Sequence, residues 1–363
     1  MVRITEGKAA IEIPKQPVTR KAEAFYNPEM EYQRDITMSA LRVFGNGKDM
    51  YVCDPLAGTG IRSLRMAAEV PGVKSILAND MSESAFAVLK KNIINARIKD
   101  TEIYVSNRHA RDIFQENMNA FDFIDIDPFG SPIGFLTVSA SSLKNRALFA
   151  ATATDTGALC GAFPKTCLNR YSIKSFKTDF FKEVGIRTLI TAVMTEMAEE
   201  GVSFEPMYSH ANHYFRVIGI TRRSAKKTAE QRKLVKDIYY CSMCLFRSAG
   251  SAGKCPECGS NLNAIGPLWT GKIIDRAFCR KMLNDLESNG YKKTKELSMA
   301  LEDGDSPFFY DLHKLYNLTK KTPQKIRDVI GCLEENGFKA TRTYLSGTGI
   351  RTEAPYGKII NCL

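Results

Sequence analysis

Through the first half of the chain, short apolar runs alternate with amphipathic stretches, and each switch is marked by Gly, Pro, Asn or Asp. Segments 50–53, 75–78, 102–105, 121–126 and 147–152 read as strands. Between them, 61–68 reads as a helix, and 82–96 repeats its apolar positions at helical spacing. Strands alternating with helices of this length imply right-handed crossovers and a parallel sheet covered on both faces. The predicted fold is therefore α/β, a doubly wound, Rossmann-like sheet.

Further along, 187–200 predicts a helix with Leu189, Ile190, Val193, Met194 and Met197 on one face, and 214–220 alternates as a strand does. A basic stretch, 222–236, leads into a cysteine-bearing hairpin at about 239–262, predicted as an inserted zinc ribbon. After Trp269 the texture changes. Helical segments at 273–286 and 323–336 and a hairpin-like end at 340–352 predict a smaller α+β C-terminal domain over 270–363, following a first domain over 1–269. The opening fifteen residues read as irregular or strand-like.

A length of 363 residues suits two domains, since single cores usually stop growing by about 250–300 residues. With 44% hydrophobic and 25% charged residues, the chain is neither disordered nor fibrous. No apolar run approaches the roughly 18 residues of a membrane span, and the N-terminus lacks an export signal, so a cytoplasmic protein without a membrane partner is expected. The net charge of +11 would attract a polyanion such as nucleic acid.

Candidate chemistry sharpens that picture at two turns. Asp54-Pro55-Leu56-Ala57-Gly58-Thr59-Gly60-Ile61-Arg62 follows a strand and opens a helix, as a loop does when its backbone must approach a nucleotide-like ligand. It lacks the full glycine spacing of a dinucleotide site, which disfavours NAD. Asp80 ends the next strand, where an acid can accept hydrogen bonds from the ribose hydroxyls of an adenosine moiety. The second turn, Asp127-Pro128-Phe129-Gly130-Ser131-Pro132, lies just past the fourth strand, at the sheet edge where open α/β folds bind ligands. A carboxylate there suits methylation of an exocyclic amine, whose lone pair is delocalised into the base: it accepts an amine hydrogen and orients the nitrogen. Asp127 is the candidate catalytic acceptor, and Phe129 the aromatic that would stack on the base. Asp125 alternates with Asp127 and is either a second acid of the site or a buried structural carboxylate.

Cys241, Cys244, Cys255 and Cys258 form two Cys-x-x-Cys knuckles, a spacing that sets four thiolates around zinc, with a pair of disulfides as the competing reading. The six other cysteines read as small buried hydrophobes. Basic clusters at Arg222-Arg223, Lys226-Lys227, Arg232-Lys233, Lys292-Lys293-Lys295 and Lys320-Lys321, interleaved with Tyr239, Tyr240, Tyr291 and Tyr316, could follow a phosphate backbone.

Taken together, these motifs resemble the tRNA (guanine-26) dimethyltransferase family of class I methyltransferases, in its shorter, archaeal-like form. The resemblance covers nearly the whole chain. It rests on 25–30 (FYNPEM) with Arg34-Asp35, on 54–62, on 127–132, on Thr154-Asp155-Thr156 with Cys160-Gly161, and on 183–187. It implies an S-adenosylmethionine-dependent enzyme that adds one or two methyl groups to a guanine amine in tRNA. By that likeness Arg34, Arg62 and Asp80 contact the cofactor, together with Asp54, Gly58 and the segment containing His109 and Ala110, and Asp127 is the catalytic acid. The chain departs from the family at Asn107-Arg108-His109-Ala110, where His109 takes the place of an acid that contacts adenine; Asp112 is the alternative contact. Two other readings remain open on sequence: an amino-methyltransferase for adenine in DNA or rRNA, and a zinc-ribbon RNA-binding protein whose methyltransferase site has decayed.

Overall fold

A computed structural model describes residues 1–15, 24–250 and 253–363. A hairpin of β1 (Val2–Glu6) and β2 (Ala9–Ile13) opens the chain, the strand-like alternative for this segment. A short 3-10 turn at Pro28–Met30, capped by the Asn27 side chain, leads into α1 (Glu31–Gly45). There follow β3 (Met50–Asp54), α2 (Ile61–Glu69), β4 (Val73–Asn79), α3 (Glu83–Ala96), β5 (Glu102–Ser106), α4 (Ala110–Glu116), β6 (Phe121–Ile126), α5 (Ile133–Ser142) and β7 (Leu143–Ala153). Each predicted strand and helix of this half is present. The Ser82 hydroxyl caps α3, which explains its sharp start after Asp80.

The remaining elements of the first unit are α6 (Thr156–Leu159), α7 (Pro164–Tyr171), α8 (Phe181–Glu199), β8 (Val202–Ala211), β9 (Phe215–Arg223) and α9 (Ala225–Arg232). The sheet has seven strands in the order β5-β4-β3-β6-β7-β9-β8. The first five run parallel, while β9 and β8 add antiparallel at the β7 edge, so the sheet is mixed. The middle of β7 is fully buried from Ala147 to Ala153, as expected of a central strand covered on both faces.

β10 (Val235–Tyr240), β11 (Arg247–Ser248) and β12 (Asn263–Trp269) form a three-stranded ribbon. Then come α10 (Arg276–Ser288), α11 (Lys295–Glu302), β13 (Tyr310–Asp311), α12 (Leu312–Thr319), α13 (Ile326–Glu335), β14 (Ala340–Arg342), β15 (Gly349–Thr352) and α14 (Tyr356–Asn361). Apolar packing does not stop at Trp269: Cys279, Met282 and Leu286 of α10 join the core under the sheet, and Arg42 of α1 grips Asp285 through both carboxylate oxygens. A second core gathers Cys241, Cys244 and Cys255 with Leu312, Leu315, Val329 and Ile350. The cysteine knuckles thus pack on the C-terminal elements.

Two buried charge clusters bolt these parts together. Arg247 donates to Asp179 (2.8 Å) and to the carbonyl of Phe309, with its guanidinium 3.9 Å from the centre of the Tyr310 ring. Glu183, at the start of α8, accepts from Arg187, from Arg351 and from the backbone N–H groups of Phe308 and Phe309. Burial pushes the Glu183 carboxyl up, but Arg351 and Arg187 outweigh it and hold it down at about 2.

The expectation for the scattered cysteines needs one correction. Cys332 and Cys362 are joined in a disulfide that ties α13 to the end of α14. The packing of those two helices brings together residues 30 positions apart, which no spacing rule could pair. Cys53, Cys167 and Cys279 are buried thiols, as expected.

Because the folded carboxyl of Glu183 lies below the ordinary 4.5, its stabilising contribution should be complete above about pH 4.5 and be lost as pH falls towards 2. Glu183→Ala, which strands Arg187 and Arg351, should lower the unfolding free energy by about 3–5 kcal/mol. Glu183→Gln should flatten the acid limb. Urea titrations across that pH range check both, and an acid limb as steep in the glutamine variant as in the parent would contradict the linkage.

Candidate active site

The turn between β3 and α2 is shaped for close approach. Gly58 and Gly60 both have positive φ (56° and 80°), and a Cβ on Gly60 would meet the Leu89 side chain at 2.6 Å. The Gly58 N–H donates to Asp80 Oδ2 (2.9 Å), and the Ser82 N–H to Oδ1 (3.0 Å). Each oxygen keeps a further lone pair for a ligand hydroxyl. Beneath the turn, Asp54 is fully buried and accepts from Ser63 Oγ; burial raises its carboxyl to about 7. Thr59 Oγ1 is buried and, among the described residues, has no hydrogen-bond partner. A polar ligand over this cradle fits both facts.

His109 has a local role. It caps α4, its Nδ1 accepting from the Arg111 N–H (3.3 Å), which is the service an aspartate would perform there. Nε2 is left at an exposed position beside the buried Ala110. Asp112 sits in the first turn of the same helix.

At the end of β6 the two acids separate in environment. Asp125 is fully buried, and both its oxygens accept from Arg216 (2.9 and 2.6 Å) while Oδ2 also accepts from Arg62 (2.8 Å). Burial raises its carboxyl, yet the two arginines outweigh this and hold it below the ordinary range. It is the buried structural carboxylate of the two alternatives. Asp127 is partly accessible: its Oδ2 accepts from Arg62 and from Gln33 Nε2 (3.2 Å), whereas Oδ1 has no partner among the described residues. Gln33 also donates to Thr152 Oγ1, so α1, α2, β6 and β7 all meet at this carboxylate.

The expected Arg34 contact looks different. Its guanidinium grips Glu6 of the opening hairpin, with Nε 2.6 Å from Oε1. Arg34 does not pair with its sequence neighbour Asp35, which pairs instead with Arg65.

Past Asp127, Gly130 (φ 87°) turns the chain, and its N–H donates to Thr154 Oγ1 (2.7 Å) while the Thr154 N–H returns to the Gly130 carbonyl. This exchange presents Phe129 half-exposed, edge-on to Phe25 at 4.7 Å between ring centres. Both rings line a cavity of about 1050 Å³ between the sheet edge and α11, bordered also by Tyr214, His210, Glu296 and Lys182.

A solved protein has the same fold. Trm1 from Pyrococcus horikoshii in complex with S-adenosyl-L-methionine superposes with a TM-score of 0.91 at 32% identity, covering 100% of this chain and 99% of that one. The family model for N2,N2-dimethylguanosine tRNA methyltransferase matches residues 7–363. The chain belongs to this family. Among the relatives of the N2,N2-dimethylguanosine tRNA methyltransferase family is the tRNA (guanine(26)-N(2))-dimethyltransferase of Methanothermobacter thermautotrophicus, 35% identical over 99% of this chain and 97% of its own length. The Thermococcus kodakarensis enzyme of the same name is 34% identical over 99% and 98%.

Away from the cavity, the Sγ atoms of Cys241, Cys244, Cys255 and Cys258 all lie within 4.8 Å of one another. Tetrahedral zinc with Zn–S of about 2.3 Å needs sulfurs about 3.8 Å apart, so the set fits that ion. Burial pushes the Cys241 and Cys244 thiols up, and a divalent cation is what would hold them as thiolates.

Sequence reasoning missed Gln33, Arg216, Lys182, His210, Tyr214 and Glu296. Arg216 had a signal, being a charged residue in the middle of an otherwise buried alternating strand. Three of the four tyrosines near the basic clusters offer no stacking platform: Tyr240 and Tyr316 are buried, and Tyr291 donates to Glu69 between Arg42 and Arg65. They are core and brace residues that happen to lie near lysines in sequence. Elemental analysis of the purified protein should find about one zinc per chain, and Cys244→Ser should abolish it. A stoichiometry near zero in the parent protein would remove the ribbon's metal.

Proposed function

We propose that the protein transfers one and then two methyl groups from S-adenosylmethionine to the exocyclic amine of a guanine in tRNA, at position 26, in the cytoplasm. The observation that carries this reading is the half-anchored carboxylate: Asp127 Oδ2 is fixed by Arg62 and Gln33, while Oδ1 is left for a ligand beside a cavity bearing two phenylalanines. Among the described residues no helix is long and apolar enough to cross a membrane.

When bound, S-adenosylmethionine supplies an electrophilic methyl group. The residues that would hold it are those of the cradle: Asp80 accepts from the ribose hydroxyls, the Gly58 turn admits the backbone close to the ligand, and Asp54 and Thr59 lie beneath it. His109 Nε2 and the Ala110 N–H in the first turn of α4 would contact the adenine edge. By the family likeness Arg34 and Arg62 would contact the methionine end while retaining their carboxylate partners.

Asp127 Oδ1 accepts one hydrogen of the guanine amine, which turns the nitrogen lone pair out of conjugation and draws density onto it. As the N–C bond forms, the amine proton moves to this carboxylate and then to water. Phe129 stacks on the base and fixes its plane. After the first transfer one N–H remains, and a single free oxygen suffices for the second. Lys182, Lys293 and Lys295 at the cavity mouth, with the exposed clusters Lys226-Lys227 and Lys320-Lys321, offer charge to the tRNA backbone, and the C-terminal elements form the tRNA-binding part.

Asp127→Ala should leave cofactor and tRNA binding largely intact, since Arg62 keeps Asp125, while turnover falls about 10³-fold or more. Nucleoside mass spectrometry of unmodified tRNA treated with labelled cofactor checks both the product and the loss; a near-normal rate would refute the role. Asp80→Ala should weaken cofactor binding about 10- to 100-fold by calorimetry, through loss of the ribose contacts. An unchanged affinity would move the ribose elsewhere.

A further inference from the structure

We propose that Glu296 of α11 accepts the N1–H of the target guanine and thereby separates guanine from purines that carry the same amine without that proton. The inference rests on Asp127 receiving the N2 amine, because that orientation decides where the rest of the base edge points.

On the Watson–Crick edge of guanine the N2 amine adjoins N1–H, a second donor. Once the amine is turned towards Asp127 with the base stacked on Phe129, N1–H loses contact with water and needs an acceptor, or its desolvation opposes binding. The cavity lining meets this need from the other side of the chain. Glu296, in the first turn of α11, lines the same cavity as Phe129 and Tyr214. Its Oε1 lies 2.6 Å from Nδ1 of His210. That histidine is buried and sits between the rings of Tyr32 and Tyr214, at 5.4 and 4.9 Å. The imidazole lies against that oxygen without a well-formed hydrogen bond, its Nδ1 having no hydrogen-bond partner among the described residues. Among the described residues Oε2 accepts no hydrogen bond, although the Glu296 side chain is only 32% exposed.

Tyr214 relates this carboxylate to the reactive turn. Its phenol is pushed up chiefly by burial, and it also feels the negative charges of both Glu296 and Asp127. Glu296 on α11 and Phe129, two residues past Asp127, line the same cavity, and Asp127 Oδ1 and Glu296 Oε2 each accept no hydrogen bond among the described residues. Two adjacent donors on one base edge match that arrangement. A carboxylate has nothing to donate, so it also repels a base whose N1 is an acceptor, as in adenine or 2-aminopurine.

The test uses full-length tRNA assembled by ligation with either guanine or 2-aminopurine at the modified position. The latter keeps the N2 amine and lacks N1–H. The parent enzyme should favour guanine by about 100-fold or more in kcat/KM, the scale on which sites built around a hydrogen bond reject its absence. Glu296→Ala should lower kcat/KM for guanine about 10- to 100-fold and leave 2-aminopurine within about threefold, so the preference collapses. Glu296→Gln, of the same shape, should raise the 2-aminopurine rate above the parent's, because its amide N–H can donate to N1. Cofactor affinity measured by calorimetry reports whether each variant is folded, and if the alanine variant is not, the glutamine variant decides. An equal fall on both bases, or no change on either, overturns the assignment. A parent enzyme that methylates neither tRNA overturns the Asp127 chemistry, and this inference with it.

Discussion

Four charges packed under one sheet edge set the terms for the rest of the molecule. Asp125 and Asp127 from β6 are matched by Arg62 from α2 and Arg216 from β9, and each desolvated ion in such a cluster costs several kcal/mol unless its partners are well placed. Good placement demands a fixed framework. Thr37 and Gln33 of α1 and Thr152 of β7 supply the remaining hydrogen bonds, so five elements must arrive in register for the cluster to balance. The antiparallel extension of the sheet has a reason in these terms: without β9 there is no Arg216, and Arg62 would be drawn wholly to the buried acid. Because Arg216 satisfies Asp125, one amino group of Arg62 remains for Asp127.

The parts of the fold that could be read from sequence are those where burial alone chooses the residues. β3, β4, β5 and β6 end within two residues of where their apolar runs end. Elsewhere other demands blurred the pattern. α1 carries Gln33, Arg34, Asp35, Thr37 and Ser39 in buried positions, so its apolar stripe is interrupted by the very groups that build the site. β8 escaped notice because Glu205-Pro206 breaks its alternation, which an edge strand tolerates. α5 intersperses Thr137, Ser139, Ser141 and Ser142 among its apolar residues, with Ser139 and Ser142 buried, and so has no periodic face to detect.

The site divides the same way. Asp127, the glycine turn and the four cysteines are held in contiguous motifs, and geometry brings each set together. His109, odd as a cofactor ligand in sequence, is intelligible as a helix cap, since imidazole Nδ1 can accept what a carboxylate accepts. Glu296 lies 169 residues from Asp127 in a lysine-rich segment that looks like ordinary surface. Its surroundings come only from α11 folding back over the sheet edge.

The clasp between the two halves has a consequence for how a large, folded RNA is handled. Glu183 and Arg247 join the halves through buried ions and stacked rings, contacts that cannot slide by small steps. Joints of this kind oppose hinge motion between the halves. If both halves seat the tRNA, they would do so at a fixed span, and the deformation would fall on the nucleic acid, whose base would unstack and swing out to reach the recess. Selection of one position in the tRNA would then depend on which nucleotide, held at that span from the seated body of the RNA, is easiest to unstack.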